Sequence, residues 1–458
     1  MRARGGPAGH EREPAGNSRA VSPARSAAFE ILRRVEDDGA FASVLLAAPD
    51  TDTRADDRAL CYELVMGVLR WQLWLDALID HYAEREATSL DKPVRRALRM
   101  GLYELRFLTR IPPSATVNQA VNLAYLARLR SASGFLNAVL RRATREVNYD
   151  PVEQIADPLT RLSVATSHPA WLIDRWVNAF GIQEAEDFAR TNNQAPPVAF
   201  RIIPTNAEEQ TVLKALSDAG GAVSQSRISP GGWRVEGAGA TVRKLATEGY
   251  VYLQDEASQL VSHVLEAHAG ESILDVCAAP GSKTTNMAAL APEAAIIAGD
   301  LYEHRLRTVR ETISRVNAKR VSLVIHDASV SLPFQEQSFD RVLVDAPCTG
   351  TGTLRHNPEI RWRISAQDIY DMAERQGRIL ANSARVVRQG GRLVYSTCSI
   401  ERDENEDIVR AFLQNHEDFS QVIIKADRKL LCNNGAVRTW PQRDGSDGFF
   451  IAAFERRK

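Results

Sequence analysis

The chain has 458 residues, 44% of them hydrophobic and 25% charged, which is the mixture of a globular protein with a sizeable core. At about 150 residues per domain the length suggests about three domains. The formal net charge of -1 gives the whole molecule no bias toward nucleic acid, and no window approaches the ~18 uninterrupted apolar residues of a membrane span.

The opening stretch, Met1 to Ser22, is rich in Arg, Gly, Pro and Ala. It lacks the apolar run of a signal peptide and reads as a disordered tail. Over residues 23–147, apolar residues recur at helical spacing: Phe29, Leu32 and Val35, then Leu64, Val68, Trp71 and Leu75, then Leu98, Leu102 and Leu105, then Phe135, Val139 and Leu140. The polar run from Thr51 to Asp57 and the pair Pro112-Pro113 punctuate these helices. The segment therefore reads as an all-α domain. Its second half is basic: eleven Lys/Arg (Lys92, Arg95, Arg96, Arg99, Arg106, Arg110, Arg128, Arg130, Arg141, Arg142, Arg145) face only Asp91, Glu104 and Glu146. Such a surface suits RNA phosphates, although solvated helix faces explain it as well.

Residues 148–253 read as a linking module. Two or three helices are expected up to about Gln194, with Trp171 and Trp176 in core packing, and Pro196-Pro197 marks a boundary. Strands at Phe200–Ile203 and Trp233–Val235 with a helix at Glu208–Asp218 then suggest a small α+β unit. Over residues 254–458 strand candidates alternate with helices: Ser272–Val276, Ala295–Gly299, Ser322–Ile325, Arg341–Val344, Arg392–Ser396 and Phe449–Phe454. Alternation of this kind predicts a mainly parallel sheet covered on both faces, with ligands at the strand C-termini.

The five cysteines (Cys61, Cys277, Cys348, Cys398, Cys432) are few, odd in number and without a CxxC pair. They predict neither disulfides nor a metal site, and free thiols point to a reducing cytoplasm.

The residues with chemistry sit at the expected strand ends. Asp275 precedes the loop Cys277, Ala278, Ala279, Pro280, Gly281, Ser282, Lys283. Gly281 permits close backbone approach, and the N–H groups of the following helix can hold a carboxylate. The loop is not a phosphate-binding P-loop, because Ser282 separates Gly281 from Lys283. Asp300 ends the next strand, placed for ribose hydroxyls, and Asp327 follows the third, placed for an adenine amino group. One such aspartate alone is more often a helix cap; three at successive strand ends predict an adenosine site.

Asp345-Ala346-Pro347-Cys348 ends the fourth strand and Ser396-Thr397-Cys398-Ser399 the fifth, which brings two thiols to the ligand edge. A single cysteine there is usually small core filling. Two fit a reaction on cytosine, whose C5 is a weak nucleophile until a thiolate adds to C6. An acid near N3 would stabilise charge on the ring, and Asp345 is the candidate. A non-catalytic RNA-binding factor is the rival of another class, and an amino-group methyltransferase would be expected to carry Asp-Pro-Pro-Tyr/Phe where Asp345-Ala-Pro-Cys348 stands.

The runs Asp-Ala-Pro-Cys-Thr-Gly-Thr-Gly (345–352), Ser-Thr-Cys-Ser (396–399) and Cys277-Ala-Ala-Pro-Gly-Ser-Lys283 resemble the signatures of the Sun-family RNA 5-methylcytosine methyltransferases. The helical part resembles the NusB-like RNA-binding domain, for instance in Gly134-Phe-Leu-Asn-Ala-Val-Leu-Arg141. The resemblance implies an all-α NusB-like N-terminal domain, a small α+β linking module and a C-terminal α/β Rossmann-like methyltransferase domain. It further implies S-adenosyl-L-methionine as cofactor, no metal and small-subunit ribosomal RNA as partner; the oligomeric state is not predicted, with a monomer favoured. Cys398 would be the C6 nucleophile and Cys348 would assist proton removal and product release. The loop 277–283 with Asp300, Asp327 and Asp345 would hold the cofactor. Analogy with DNA cytosine-C5 methyltransferases, whose nucleophile follows a proline, points instead to Cys348. Ser282 stands where the family has a second glycine. Arg355, Asn357 and Arg361 follow the Cys348 loop, where RNA phosphate contact and surface ion pairing are equally open readings.

Overall fold

The structure, a computed structural model, describes residues 20–47 and 54–457. Most of the expected tail and part of the polar run at 51–57 lie outside the described residues. The chain divides into two compact units, Met1–Ser167 and His168–Lys458.

The first unit is helical: α1 (Pro23–Asp37), α2 (Ala42–Ala47), α3 (Ala55–Arg70), α4 (Gln72–Ala83), α5 (Lys92–Phe107), α6 (Pro113–Leu126), α7 (Ser133–Arg145) and α8 (Pro158–Thr166). Proline opens several of these helices, where its missing N–H costs nothing, and Asp157 caps α8 by accepting from the Thr160 N–H. Leu32, Leu64, Val68, Leu75, Leu98, Leu102, Val139 and Leu140 share one buried core. The core also encloses a charge pair, Arg25 and Glu104 at 2.5 Å, which accepts a further hydrogen bond from Thr116.

The basic run divides in two. Arg95 and Arg96 pair with Glu36, Arg99 with Asp76, and Arg142 with Glu84 and Glu146. Arg110, Arg128, Arg130, Arg141 and Arg145 are exposed. A charge count over residues 91–146 includes Glu146 but misses Glu36 of α1, Asp76 of α4 and Glu84 just after α4.

The second unit opens with α9 (Ala170–Phe180) and α10 (Ile182–Asn192). Trp176 is fully buried and donates to Glu401 Oε1 at 3.2 Å; its ring meets Phe188 edge-on. Next comes a four-stranded antiparallel sheet in the order β2-β3-β1-β4, built from β1 (Val198–Ile202), β2 (Ala222–Gln225), β3 (Gly232–Glu236) and β4 (Val251–Leu253). The helices α11 (Glu209–Asp218) and α12 (Gly239–Thr247) cover one face through Val212, Leu216, Val242 and Leu245.

The remainder is α13 (Glu256–Val264), β5 (Ser272–Asp275), α14 (Ser282–Leu290), β6 (Ala295–Asp300), α15 (Glu303–Arg315), β7 (Val321–Ile325), β8 (Phe339–Asp345), α16 (Ile360–Arg363), α17 (Ala366–Arg385), β9 (Val387–Thr397), α18 (Glu406–Asn415), β10 (Phe419–Val422), β11 (Val437–Arg438), α19 (Pro441–Asp444) and β12 (Phe450–Arg456). The sheet runs β10-β12-β9-β8-β5-β6-β7, parallel from β9 to β7 and antiparallel at β12 and β10. Alternate residues feed opposite layers: Leu274, Val342, Val344 and Tyr395 face α17 and α18, and Ile273, Leu343 and Val394 face α13 and α14. β5 lies between β6 and β8, so chain connections leave it in opposite directions. That is a topological switch point, which opens a crevice beyond the ends of β5 and β8.

Candidate active site

Asp275 ends β5 and is buried, with Thr284 donating to Oδ2 at 2.6 Å and Oδ1 left without a hydrogen bond. Burial lifts its pKa from the ordinary 3.8 to about 7, against the pull of Thr284. The chain then turns through Ala278–Gly281. Gly281 takes φ +98°, and a Cβ there would lie 3.3 Å from Val309 in α15. The left-handed residue is thus Gly281 and not its neighbour. Ser282 is the first residue of α14 and is absent from the positive-φ residues, which explains why a serine fits where the family has glycine. Behind the turn, buried Arg201 of β1 donates to Thr285 Oγ1 at 2.8 Å and to the Ser282 carbonyl at 3.3 Å, tying the small sheet to this loop. Burial lowers the Arg201 pKa to about 10.

Asp300 ends β6, buried, with the Ala279 N–H on Oδ2 at 3.2 Å and Arg305 at 3.3 Å from Oδ1. Asp327 lies two residues past β7 and takes both Ser329 donors on Oδ1, which hold its carboxyl below the usual range. Asp275 Oδ1 is therefore buried without a hydrogen-bond donor, and Asp300 Oδ1 has only the ion pair to the half-exposed Arg305, on one crevice. A ligand bringing an ammonium or ribose hydroxyls supplies such donors, so these residues fit the polar half of an adenosyl amino acid.

On the other side of the crevice Asp345 ends β8. Its Oδ2 accepts from Lys283 Nζ at 2.7 Å and its Oδ1 from Ser396 Oγ at 2.8 Å. Burial opposes the Lys283 ammonium, but Asp345 outweighs it and holds the lysine pKa above its ordinary value. The sulfur atoms of Cys348 and Cys398 lie 3.3 Å apart, both thiols half-buried. Their loops meet because Gly352 lies flat against its neighbours: its N–H donates to the Cys398 carbonyl, and a Cβ would overlap the Gly448 carbonyl. The hydrogen bond with Cys398, and then burial, push the Cys348 thiol well above the usual cysteine range. Burial also pushes the Cys277 thiol up, so Cys277 keeps its proton beside the loop.

Sequence reasoning missed the polar framework beneath the thiols. Glu404 is fully buried and accepts from the Thr349 N–H (2.9 Å), Thr349 Oγ1 (2.5 Å) and Gln376 Nε2 (2.9 Å), as well as from Ser399 Oγ. Asn405 takes a bond from Thr397 Oγ1 at 2.6 Å and gives one to the Ser399 carbonyl at 2.8 Å. Arg355 and Arg361, after Cys348, are buried and not at the surface, and the ion pairing open to Arg355 is made internally with Asp447. Arg355 is 4% exposed and Arg361 0%, and Arg361 donates to Asn193 Oδ1 at 2.8 Å at the end of α10. Among the described residues, Asp255, His356 and Asp447 bring one donor atom each within 4.8 Å. Arg355 already provides a counter-charge there, 3.8 Å from Asp447 Oδ1.

A sheet parallel from β9 to β7 with an acid-lined crevice at its switch point is a Rossmann-like nucleoside site, and the family that residues 262–455 match makes this the domain of a methyltransferase, a class whose methyl donor is of the S-adenosylmethionine type. Residues 262–455 match the family described as 16S rRNA methyltransferase RsmB/F, residues 22–145 the NusB family, and residues 168–242 the RsmF/B-like ferredoxin-like domain. The chain belongs to the RsmB/F family of 16S rRNA methyltransferases. The probable ribosomal RNA small subunit methyltransferase B of Bacillus subtilis (strain 168) is 31% identical over 445 residues, covering 94% of this chain and 98% of that one. The ribosomal RNA small subunit methyltransferase B of Escherichia coli O157:H7 is 33% identical over 438 residues, covering 93% and 97%. Among solved structures, PH0851 superposes with a TM-score of 0.82 at 28% identity, covering 97% of this chain and all of that one.

Proposed function

We propose that this protein methylates C5 of one cytosine in 16S ribosomal RNA through a transient bond between Cys398 and C6. The observation that carries the reading is the pair of sulfur atoms 3.3 Å apart at the edge where Lys283 and Asp345 meet. The Cys398 sulfur adds to C6, and the C5–C6 π electrons move onto the ring. Lys283, hydrogen-bonded to Asp345, can lend Asp345 the proton that it places on N3 as that charge develops, and the proton returns by the same path when the ring is restored. When bound, S-adenosylmethionine supplies an electrophilic methyl group, which the activated C5 takes. Cys348 must first lose its own proton to solvent, against the raised pKa of its thiol; its thiolate then takes the C5 proton, and the Cys398–C6 bond breaks to restore aromaticity and release Cys398 as a thiolate. The loop 277–283 with Asp300 and Asp327 would hold the donor, and the exposed arginines Arg110, Arg128, Arg130, Arg141 and Arg145 of the helical unit would contact RNA phosphates.

The test is tritium release from 16S RNA carrying cytidine labelled at C5. One tritium released per methyl incorporated is expected. Methyl incorporation with the tritium retained would place the methyl on another atom and overturn the reading.

A further inference from the structure

We infer that Glu404 is a positioning residue for the reaction, a single buried carboxylate that sets the distance between the two sulfur atoms by anchoring the residue after each cysteine. The inference rests on the two-thiol reading above and adds a residue to it.

Glu404 precedes α18 and shows no exposed surface. Its Oε1 accepts from the Thr349 N–H and from Gln376 Nε2, both at 2.9 Å. Its Oε2 accepts from the hydroxyls of Thr349 and Ser399. Thr349 follows Cys348 and Ser399 follows Cys398, so one rigid group grips both loops a single residue from each sulfur. Gln376 extends the grip, for its amide also donates to the Pro347 carbonyl at 2.9 Å, on the other side of Cys348. Tyr395 of β9 fixes the backbone beneath, donating to the Glu404 carbonyl at 2.6 Å. A carboxylate buried without a cation is costly unless its lone pairs are met. The donors around Glu404 are an N–H, an amide and two hydroxyls, which meet both its oxygens. Burial still raises its pKa against those donors. The cost is placed where the loops must be held to a fraction of an ångström, since a misplacement near 1 Å lowers rates by about 100-fold.

The test compares Glu404→Ala and Glu404→Gln in the full chain, using 16S RNA containing 5-fluorocytidine to trap the adduct and unlabelled RNA for turnover. Glutamine keeps the shape: its oxygen faces the Thr349 N–H and Gln376, and its amide faces hydroxyls able to accept. For Glu404→Ala, kcat and the rate of adduct formation should fall roughly 30-fold or more, with S-adenosylmethionine affinity within about threefold of the parent. Glu404→Gln should recover to within about tenfold of the parent. Should the alanine variant fail to fold, Thr349→Val removes only the hydroxyl contact and should slow adduct formation about tenfold at unchanged donor affinity. Adduct formation at the parent rate in either Glu404→Ala or Thr349→Val overturns the inference. So does a loss of rate that tracks donor affinity and thermal stability with no recovery in Glu404→Gln. A parent enzyme that forms no adduct at all would instead refute the two-thiol mechanism, which keeps the two failures apart.

Discussion

Replacing Lys283 by methionine removes an ammonium 2.7 Å from Asp345 Oδ2 while keeping the aliphatic stem beside Phe449. The side chains of the pair are 9% and 25% exposed, so water replaces the lost partner only in part. Breaking a buried pair from one side costs ~3–5 kcal/mol. Asp345 keeps the Ser396 hydrogen bond and some solvent, which places the loss near the low end, about 3 kcal/mol. At ~2–4 °C per kcal/mol for a unit of this size, Tm should fall by roughly 6–12 °C. The double variant Lys283→Met with Asp345→Asn leaves no unpaired buried charge and should regain most of that stability. Neither variant should release tritium from labelled RNA, because Asp345 has lost its place or its charge. Differential scanning calorimetry of the full chain without donor reads the stabilities. A single variant within about 2 °C of the parent, or a double variant no more stable than the single, would refute the claim that this pair is desolvated and coupled.

Three further outcomes are expected. Asp275 has a folded-state pKa near 7 against 3.8 ordinarily, so folding binds its proton more tightly; the stability it contributes is full below pH ~4 and lost as pH rises toward 7. Asp275→Asn should therefore gain stability relative to the parent between pH 5 and pH 8, and a constant difference across that range would contradict the shift. Gly281→Val forces a branched residue to φ +98°, and the ~1–3 kcal/mol of strain should weaken donor binding roughly tenfold by calorimetric titration. Unchanged affinity would remove the loop from the donor site. Replacing exposed Arg128, Arg130 and Arg141 by alanine should lower RNA affinity and flatten its salt dependence by about two to three ions, whereas Arg96→Ala, cut from Glu36 and Asp37, should lower Tm instead. An unaltered salt slope in the triple variant would exclude that surface.

The candidate residues could be placed from the sequence because they lie at strand ends, where local spacing alone sets position. Asp275, Asp300, Asp345 and Cys398 each end or follow a recognisable apolar run, and alternation with helices predicts that their strands run parallel but not their order across the sheet. What escaped notice depends on contacts across the chain. Glu401 to Asp407 is the densest charge run near the site and reads as a solvated helix start. Instead Glu401 and Glu404 are 4% and 0% exposed, because Trp176 and the loops after the two cysteines donate to them. Arg361 reads as a surface cation until α10 is folded over it. The strand Phe419–Val422 is four residues long at the sheet edge, too short for periodicity to show, and forms only because β12 pairs with it. The neutralised half of the basic run likewise needed acids from α1 and α4 that no local count includes.

The central claim is that one sulfur bonds the ring and the other releases it. Incubating the parent, Cys398→Ala and Cys348→Ala with 16S RNA and S-adenosylmethionine, then separating them on a denaturing gel, tests this directly. An RNA-linked band that accumulates for Cys348→Ala and is absent for Cys398→Ala is expected. A band that persists in Cys398→Ala and vanishes in Cys348→Ala would contradict the account.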